Sequence, residues 1–326
     1  MKRAASWWLG ALLIATGASG IWSGASAETL SVSQYGAVNA DLPWAIALKK
    51  GFFKDEGVAI DQIIPGQGGA TAVRNMMASD LPYGVVATSA ALAGIRAGLQ
   101  LKIVNTVSDN IGEIALVTMP NSPLRSIKDL AGKKIGITSP KSTTDWMTHM
   151  VLEKNGLAGR AQIVPMGGFA PGLTALKEGA IDAAPLNDPG LTLKADQYHV
   201  LFAFADQIPR VTWLVGITTA SFAAKQPEKL RAILKAYRRA VDFLYANRAE
   251  ATKIYAEVWG LPPDQAQRLL PKYFDMPGEW THGEFNTEGL ATMSAAEVLI
   301  GNSDKPIDWS HIVDQSWLPE DLRRPL

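Results

Sequence analysis

Cysteine is absent from this chain of 326 residues, and its absence excludes several kinds of site at once. Without a thiol there is no disulfide framework, no thiolate metal ligand and no cysteine nucleophile. A bacterial lipoprotein is excluded as well, because its lipid is carried on a cysteine at the cleavage point. The chain has four histidines, and none of them stands at metal-ligand spacing from another. The function has to be sought in other residue types.

An excess of charge of either sign is also missing. Lys and Arg together number 31, and so do Asp and Glu, which gives a formal net charge of zero. Lys2 and Arg3 lie in the predicted signal peptide described below, and without them the net charge is near −2. No basic field exists to hold nucleic acid or an anionic membrane.

The chain lacks H-E-x-x-H, G-x-S-x-G and the P-loop pattern, which lowers the expectation of an enzyme. We therefore predict no catalytic residues, no metal and no cofactor.

The first 27 residues have the order of a secretory signal peptide. Lys2 and Arg3 precede an apolar run from Trp7 to Ala18, and Ala25-Ser26-Ala27 forms a small-x-small end. A membrane anchor is the alternative, but the apolar run is shorter than the roughly 20 residues that span a bilayer. We expect cleavage after Ala27 and a periplasmic protein, since no later segment is apolar enough to cross a membrane.

Apolar runs alternate with helical patterns along the rest of the chain, which predicts an α/β protein with largely parallel strands. In the first series, strands at 30–35, 58–64, 83–88 and 101–107 alternate with helices at 41–50, 70–79 and 90–97. The second series has strands at 113–119, 135–138, 162–166, 180–186 and 200–205, with helices at 127–131, 145–154 and 172–178. A further strand is predicted at 213–218, and from Pro227 to the end the chain is predicted to be almost all helical.

Glycines and hydroxyl residues gather where strands end and helices begin. Three loops have this composition: Gln67-Gly68-Gly69, Thr88-Ser89, and Ser139 to Thr144. Ligands of open α/β sheets lie at the carboxyl ends of strands, where helix N-termini offer unpaired N–H groups. The alternative is that Ser89, Thr143 and Thr144 are ordinary N-caps, each stabilising its helix by about 1 kcal/mol. Taken together, the three loops favour a shared site for an anion or a polar group.

Aromatic and acidic residues stand beside these loops. Trp44, Trp146 and Trp213 are candidate cleft walls, although a single Trp is more often part of a core. Asp188, in Asn187-Asp188-Pro189-Gly190, follows a predicted strand and is a candidate acceptor for an amine or ring N–H of a ligand. An Asx turn before the proline is its equally weighted alternative.

Several segments resemble one family of periplasmic substrate-binding proteins, which serves sulfonate, taurine, nitrate and thiamine-precursor importers and is described as NMT1/THI5-like. The segments are ADLPWAIALKKGFFKDEGVAI, SIKDLAGKKIGIT, SPKSTTDWMTHMVLEKNGL, LKEGAIDAAPLNDPG and ASFAAKQPEKLRAILKAYRRAVDFLYAN. The resemblance covers nearly the whole chain after the signal peptide. It implies a type II periplasmic binding fold: two lobes, each an open, mostly parallel sheet flanked by helices, with a ligand cleft between them that closes by hinge bending.

The resemblance also implies boundaries and site residues. Lobe 1 is expected at 28–110 and 212–326, and lobe 2 at 111–211. The implied ligand-binding residues are Tyr35, Gln67, Gly68, Thr88 and Ser89 in lobe 1, and Ser142, Thr143, Thr144 and Asp188 in lobe 2. Lys141 stands where relatives often have glycine, and either adds positive charge to the site or points to solvent.

The implied function is capture of a small solute by a monomer that delivers it to an ABC permease in the inner membrane. A sulfonate or another oxyanion is the first choice of solute, and an aromatic or pyrimidine-type compound is the alternative. From another class, an enzyme on the same scaffold is possible, but the related pyrimidine-precursor synthases use a cysteine-rich motif that this chain lacks. A sensory domain that feeds a receptor is a third hypothesis, and such a domain would be expected to carry an attached signalling segment.

Overall fold

The computed structural model of the protein describes residues 27–326. The predicted signal peptide, except for its last residue, lies outside them. Within residues 27–326, no helix has both the length and the apolar character needed to cross a bilayer.

Within residues 27–326, ten strands form the sheets. They are β1 (Glu28–Ser33), β2 (Ile60–Gly66), β3 (Tyr83–Ala87), β4 (Leu101–Ser108), β5 (Ile114–Thr118), β6 (Lys134–Ile137), β7 (Gln162–Pro165), β8 (Ala184–Asn187), β9 (His199–Ala203) and β10 (Leu214–Thr219). Each observed strand overlaps a predicted one. The largest difference is at β8, which begins four residues after the predicted start at Ala180.

The α-helices are α1 (Leu42–Lys49), α2 (Phe52–Asp55), α3 (Gly69–Met77), α4 (Thr88–Arg96), α5 (Thr143–Lys154), α6 (Phe169–Lys177), α7 (Gly190–Leu193), α8 (Ala220–Lys225), α9 (Pro227–Ala246), α10 (Arg248–Trp259), α11 (Pro263–Leu269), α12 (Pro271–Phe274) and α13 (Thr287–Leu299). The short helix predicted at 127–131 is a 3-10 turn at Ile127–Leu130.

The three sheets of the described residues are distributed over two lobes. The sheet of lobe 1 has the order β2-β1-β3-β10-β4, and β10 runs antiparallel to both of its neighbours. In lobe 2 the order β8-β5-β9 is antiparallel, while β6 and β7 form a parallel pair that joins β8 through a bridge between Ile135 and Ala183. The chain thus leaves the first sheet after β4 and returns to it at β10.

The chain crosses between the lobes twice, first between β4 and β5 and again just before β10, and the two crossings are tied to each other. The Thr212 hydroxyl donates to Asp109 Oδ1 at 3.0 Å, and Arg210 lies 3.4 Å from the other oxygen of the same carboxylate. Burial raises the pKa of Asp109 to about 7, although Arg210 and the Thr212 hydroxyl act against the rise. These contacts fix the position of one crossing against the other.

The helix α9 is amphipathic. Its apolar residues recur at helical spacing, and they form a buried face: Leu230, Ile233, Leu234, Tyr237, Val241 and Leu244. This face packs on α1 and α2 in lobe 1. The buried apolar residues of lobe 1 continue without a break to Trp146, Met147 and Val151 of α5, so the lobes share one core on that side.

The prediction of almost continuous helix from Pro227 was wrong for residues 275–286, which connect α12 to α13, and for a longer segment, the last 27 residues, 300–326. This segment contains two 3-10 turns, at Trp309–His311 and Glu320–Leu322, and otherwise irregular structure. Gly301 follows α13 with a φ of 68°, a conformation that favours glycine and ends a helix. Pro306, Pro319 and Pro325 remove backbone donors from the rest of the segment.

Candidate functional site

The helices α3 and α4 begin in contact with each other at the carboxyl ends of β2 and β3. A Cβ atom added to Gly69, the first residue of α3, would lie 2.3 Å from the Cβ of Ala90 in α4. Such a separation is too short for two carbon atoms, so only glycine allows this approach. The N-cap Gly68 is extended, with a φ of 167°. Because the first N–H groups of a helix lack intrahelical partners, two sets of donors converge here.

Thr88 and Ser89 at the start of α4 have different roles. The Thr88 side chain is fully buried and its hydroxyl donates to the carbonyl oxygen of Thr212 at 2.7 Å. Its backbone N–H donates to the Trp213 carbonyl at 2.8 Å, which fastens α4 to the second crossing. Among residues 27–326, the structure gives the Ser89 hydroxyl no hydrogen-bond partner. Ser89 therefore remains a candidate ligand residue, whereas the Thr88 hydroxyl is used by the protein itself.

The hydroxyl residues before α5 bond mainly to one another. Thr138 Oγ1 lies 3.0 Å from Ser142 Oγ and 2.8 Å from Thr144 Oγ1, and the latter two oxygens are 3.0 Å apart. Ser142 is the N-cap and accepts from the Asp145 N–H at 3.4 Å, and Thr144 accepts from the Thr138 N–H at 2.8 Å. This cluster is first of all a capping network.

Thr143 differs from the other hydroxyl residues of this loop. It is half-buried, and within the described part of the chain its hydroxyl has no hydrogen-bond partner. Lys141 is exposed, with its backbone N–H bonded to the Asp145 carboxylate at 2.6 Å. No hydrogen bond between described residues joins the loop Ser142 to Thr144 to the helix starts of lobe 1. The convergence of the two lobes' helix starts stays a prediction.

One helix of lobe 2, α6, also begins with glycines, as α3 of lobe 1 does, and the sequence analysis did not predict this feature. Gly168 is the N-cap of α6 with φ and ψ of 162° and 176°, close to the 167° and 172° of Gly68. Gly167 before it has a φ of 87°, which favours glycine. The signal was present in the sequence, because Met166-Gly167-Gly168 precedes a helix as Gln67-Gly68-Gly69 does.

Tyr35 lies where β1 ends, in an aromatic and acidic setting. Its half-buried ring is 6.2 Å from the ring of Trp259, which in turn lies 4.7 Å from Tyr255. Burial raises the pKa of Tyr35 above its ordinary value, and the nearby Asp41 carboxylate raises it further. Gln67 is exposed beside the same end of the sheet.

The tryptophans predicted as cleft walls are core residues. Trp44 has 0% of its surface exposed, and its indole stacks on Tyr237 with 4.4 Å between ring centroids. Trp146 is also 0% exposed and Trp213 is 5% exposed. The prediction was wrong for Trp44 and Trp146, because each falls on the buried face of its helix. Trp213 contributes its backbone carbonyl at the crossing while its ring is packed away.

The prediction that Asp188 accepts a bond from a ligand is not supported by the geometry. Its carboxylate is fully buried and accepts from the Thr192 N–H at 2.8 Å, from Lys272 Nζ and from the Tyr273 hydroxyl. Lys272 and Tyr273 come from α12, more than 80 residues away in sequence, so no local pattern could have indicated them. Asp188 therefore joins lobe 2 to the C-terminal helices of lobe 1.

Two further hydrogen bonds lie in the same contact region between lobe 2 and lobe 1, which is called the seam below. The Asn39 N–H donates to Glu113 Oε2 at 3.0 Å, and the Asn187 side chain donates to the Ala37 carbonyl at 3.1 Å. Glu113 was not a predicted site residue.

In the described range, no group of three or more His, Cys, Asp or Glu side chains is arranged to hold a metal ion.

Comparison with known proteins assigns the fold and the family. Residues 41–251 match the family model described as NMT1/THI5 like. The chain belongs to the NMT1/THI5-like family. A relative from Bacillus subtilis (strain 168), named as an aliphatic sulfonate-binding protein, is 21% identical over 297 residues, which cover 86% of this chain and 85% of the relative.

Two solved structures show the same architecture as this NMT1/THI5-like chain. The periplasmic aliphatic sulphonate binding protein SsuA from Escherichia coli superposes with a TM-score of 0.71 at 16% identity, covering 88% of this chain and 96% of that one. The alkanesulfonate-binding protein SsuA from Xanthomonas axonopodis pv. citri, bound to MOPS, also gives 0.71 at 18% identity, covering 88% and 98%. The predicted periplasmic binding fold is thereby confirmed, although the prediction of a mostly parallel sheet was wrong for β8-β5-β9 of lobe 2, where both pairings are antiparallel.

Proposed function

We propose that this protein is the periplasmic solute-binding component of an ABC importer. It captures a small anionic or polar organic solute between its lobes, closes over it, and delivers it as a monomer to a permease in the inner membrane. The lobes are proposed to comprise residues 28–110 with 212–326, and residues 111–211. The confirmed fold and the names of the relatives support this role.

The observation that carries the proposal is the contact between the starts of α3 and α4. Gly69 and Ala90 bring two helix N-termini together at the carboxyl edge of the sheet, and Gly68 leaves the first N–H groups of α3 uncovered because it has no side chain. Unpaired N–H groups and the positive ends of two helix dipoles favour an oxyanion. A sulfonate is therefore the first choice of solute, in keeping with the names of the relatives.

A flat aromatic or pyrimidine-type solute is the second candidate. The half-buried ring of Tyr35 beside Trp259 offers a stacking surface at the end of β1. Catalysis is not part of the proposal, because the site loops described above present donors and caps rather than a nucleophile with its base.

A thermal-shift screen of the purified protein tests this function. Alkanesulfonates, nitrate, aromatic acids and pyrimidines would each be added at increasing concentration. A ligand present at 100 times its Kd stabilises the folded state by about 2.7 kcal/mol, which is readily measured. A shift with alkanesulfonates supports the first choice, and a shift with pyrimidines alone supports the second. If no compound of these classes raises the melting temperature, the solute-binding proposal fails, and recovery of a chemically altered compound would favour an enzyme.

A further inference from the structure

Like charges face each other across the seam between the lobes. Glu113 and Asp188 lie side by side at the edge of lobe 2, where the Asp188 N–H donates to the Glu113 carbonyl at 2.9 Å. Asp41 and Glu279 approach them from lobe 1. The four carboxylates come from four separate segments, and all four side chains are buried, with 0% exposure.

Protein donors satisfy only part of this cluster. Asp188 accepts from Lys272 and Tyr273, and Glu113 Oε2 accepts from the Asn39 N–H. Both oxygens of Asp41, both oxygens of Glu279 and Oε1 of Glu113 have no hydrogen-bond partner within the described chain. Lys272 is the one cation that residues 27–326 place in a salt bridge with the cluster, and it is partly exposed.

One cation cannot balance four buried carboxylates. A buried, unpartnered carboxylate is strongly unfavourable in its ionised form, and such a group takes up a proton instead. A metal ion is not the balancing charge, because the acidic side chains of the described residues are not arranged to hold one. Protons are therefore the species that neutralises the seam.

The directions of the pKa shifts within the cluster agree with this geometry. Burial raises the pKa of Glu113 to about 8, with Asp188 adding to the rise and the N–H groups of Asn39 and Ala40 and the Lys272 charge opposing it. Burial also raises the pKa of Glu279 well above its ordinary range, and Glu113 and Asp188 add to it. For Asp41, burial and then Glu113 raise the pKa. The titratable groups that surround Glu113 are Asp41, Asp188, Tyr255, Lys272, Tyr273 and Glu279.

We propose that closure of the two lobes is coupled to proton uptake at this seam, with Asp41, Glu113 and Glu279 as the groups that take up protons. Asp188 stays paired with Lys272 and keeps the lobes in register. Separation of the lobes would return water to the carboxylates and release the protons. The inference rests on the lobe closure of the proposed function, but it does not depend on the identity of any solute.

The direction of the pH dependence follows from linkage. The ordinary pKa of Glu113 is 4.5 and its value in the closed seam is about 8, so the closed form binds more protons between these values. The proton on Glu113 makes closure about tenfold less favourable for every unit of pH rise within that window, and adds no further change above it. Closure is therefore favoured by acid and weakened in mild alkali.

Small-angle X-ray scattering of the solute-free protein, from about pH 5 to about pH 9, tests the inference. We expect the radius of gyration to rise as pH rises towards 8. Glu113→Gln keeps the acceptor for the Asn39 N–H and is permanently neutral, so this variant should stay compact to higher pH. Glu178→Gln, on an exposed residue of lobe 2, is the matched control and should behave like the wild type.

Two results would overturn the inference. The first is a wild-type radius of gyration that does not change over this pH range. The second is a Glu113→Gln profile that coincides with that of Glu178→Gln. If Glu113→Gln does not fold, Glu279→Gln takes its place with the same expectation. Because no solute is added, a negative scattering result leaves the solute-binding proposal standing. Conversely, a thermal-shift screen in which no compound binds does not affect the scattering result.

Discussion

The helix starts that carry hydroxyl residues differ from those that carry glycines. At α4 and α5, the hydroxyls of Thr88, Ser142 and Thr144 bond to the protein's own backbone or to one another. At α3 and α6, Gly68 and Gly168 have no side chain and leave the first N–H groups uncovered. At α4 and α5 most hydroxyls are thus used by the protein itself, although of these two helices only α5 is capped by a side chain, that of Ser142, whereas a glycine leaves the helix donors free for another molecule.

The largest effect is expected at the closest approach of the glycine starts. Gly69→Ala places a methyl group 2.3 Å from the Cβ of Ala90 and must force α3 and α4 apart. We expect a loss of about 1–3 kcal/mol in the free energy of unfolding, measured by denaturant titration. Gly168→Ala is the matched control, because its added methyl would meet Pro171 at an ordinary 3.5 Å. Equal stability of the two variants would show that the helix starts do not touch.

A smaller effect is expected at the hydroxyl cluster. Ser142→Ala removes the N-cap of α5 and two neighbouring hydroxyl contacts, to Thr138 and Thr144. We expect a loss of about 1 kcal/mol in unfolding free energy, again by denaturant titration. A variant as stable as the wild type would mean that the cluster is not a cap, and the contrast between the two kinds of helix start would disappear.

The smallest change in stability is expected for Thr143→Val. Its half-buried hydroxyl has no partner among the described residues, so unfolding free energy should change by less than about 0.5 kcal/mol. If Thr143 binds the solute, affinity measured by titration calorimetry with a solute from the screen should fall. Unchanged affinity would restrict the site to the glycine starts.

Patterns of local origin predict much of this fold. The strands, the amphipathic face of α9 and the glycine-rich loop before α3 follow from periodicity and from residues that permit special backbone geometry. Trp44 could not be placed by such patterns, since an aromatic residue at a helix start serves equally as wall or core. Its burial depends on Tyr237, almost 200 residues away in sequence.

Sequence patterns could not predict the carboxylates of the seam either, because their contacts join residues that are far apart in the sequence. Glu113, Asp188 and Glu279 are isolated carboxylates along the chain, and the topology alone brings them together. Lys272 and Tyr273 reach Asp188 from a distant helix. The Gly167-Gly168 start of α6, by contrast, repeats the motif before α3 and could have been found by comparing the two loops.

The central claim, that a solute binds at the uncovered helix start of α3, is tested most directly with Gly68→Ala. Gly68 is extended and an added Cβ would meet no atom within 4 Å, so the protein should fold with stability within about 0.5 kcal/mol of the wild type. Titration calorimetry with the solute from the screen should show an affinity at least about tenfold lower, since a tenfold loss corresponds to 1.4 kcal/mol. Gln62→Ala, at an exposed position of the preceding strand β2, should bind like the wild type. Full affinity in Gly68→Ala would contradict the claim.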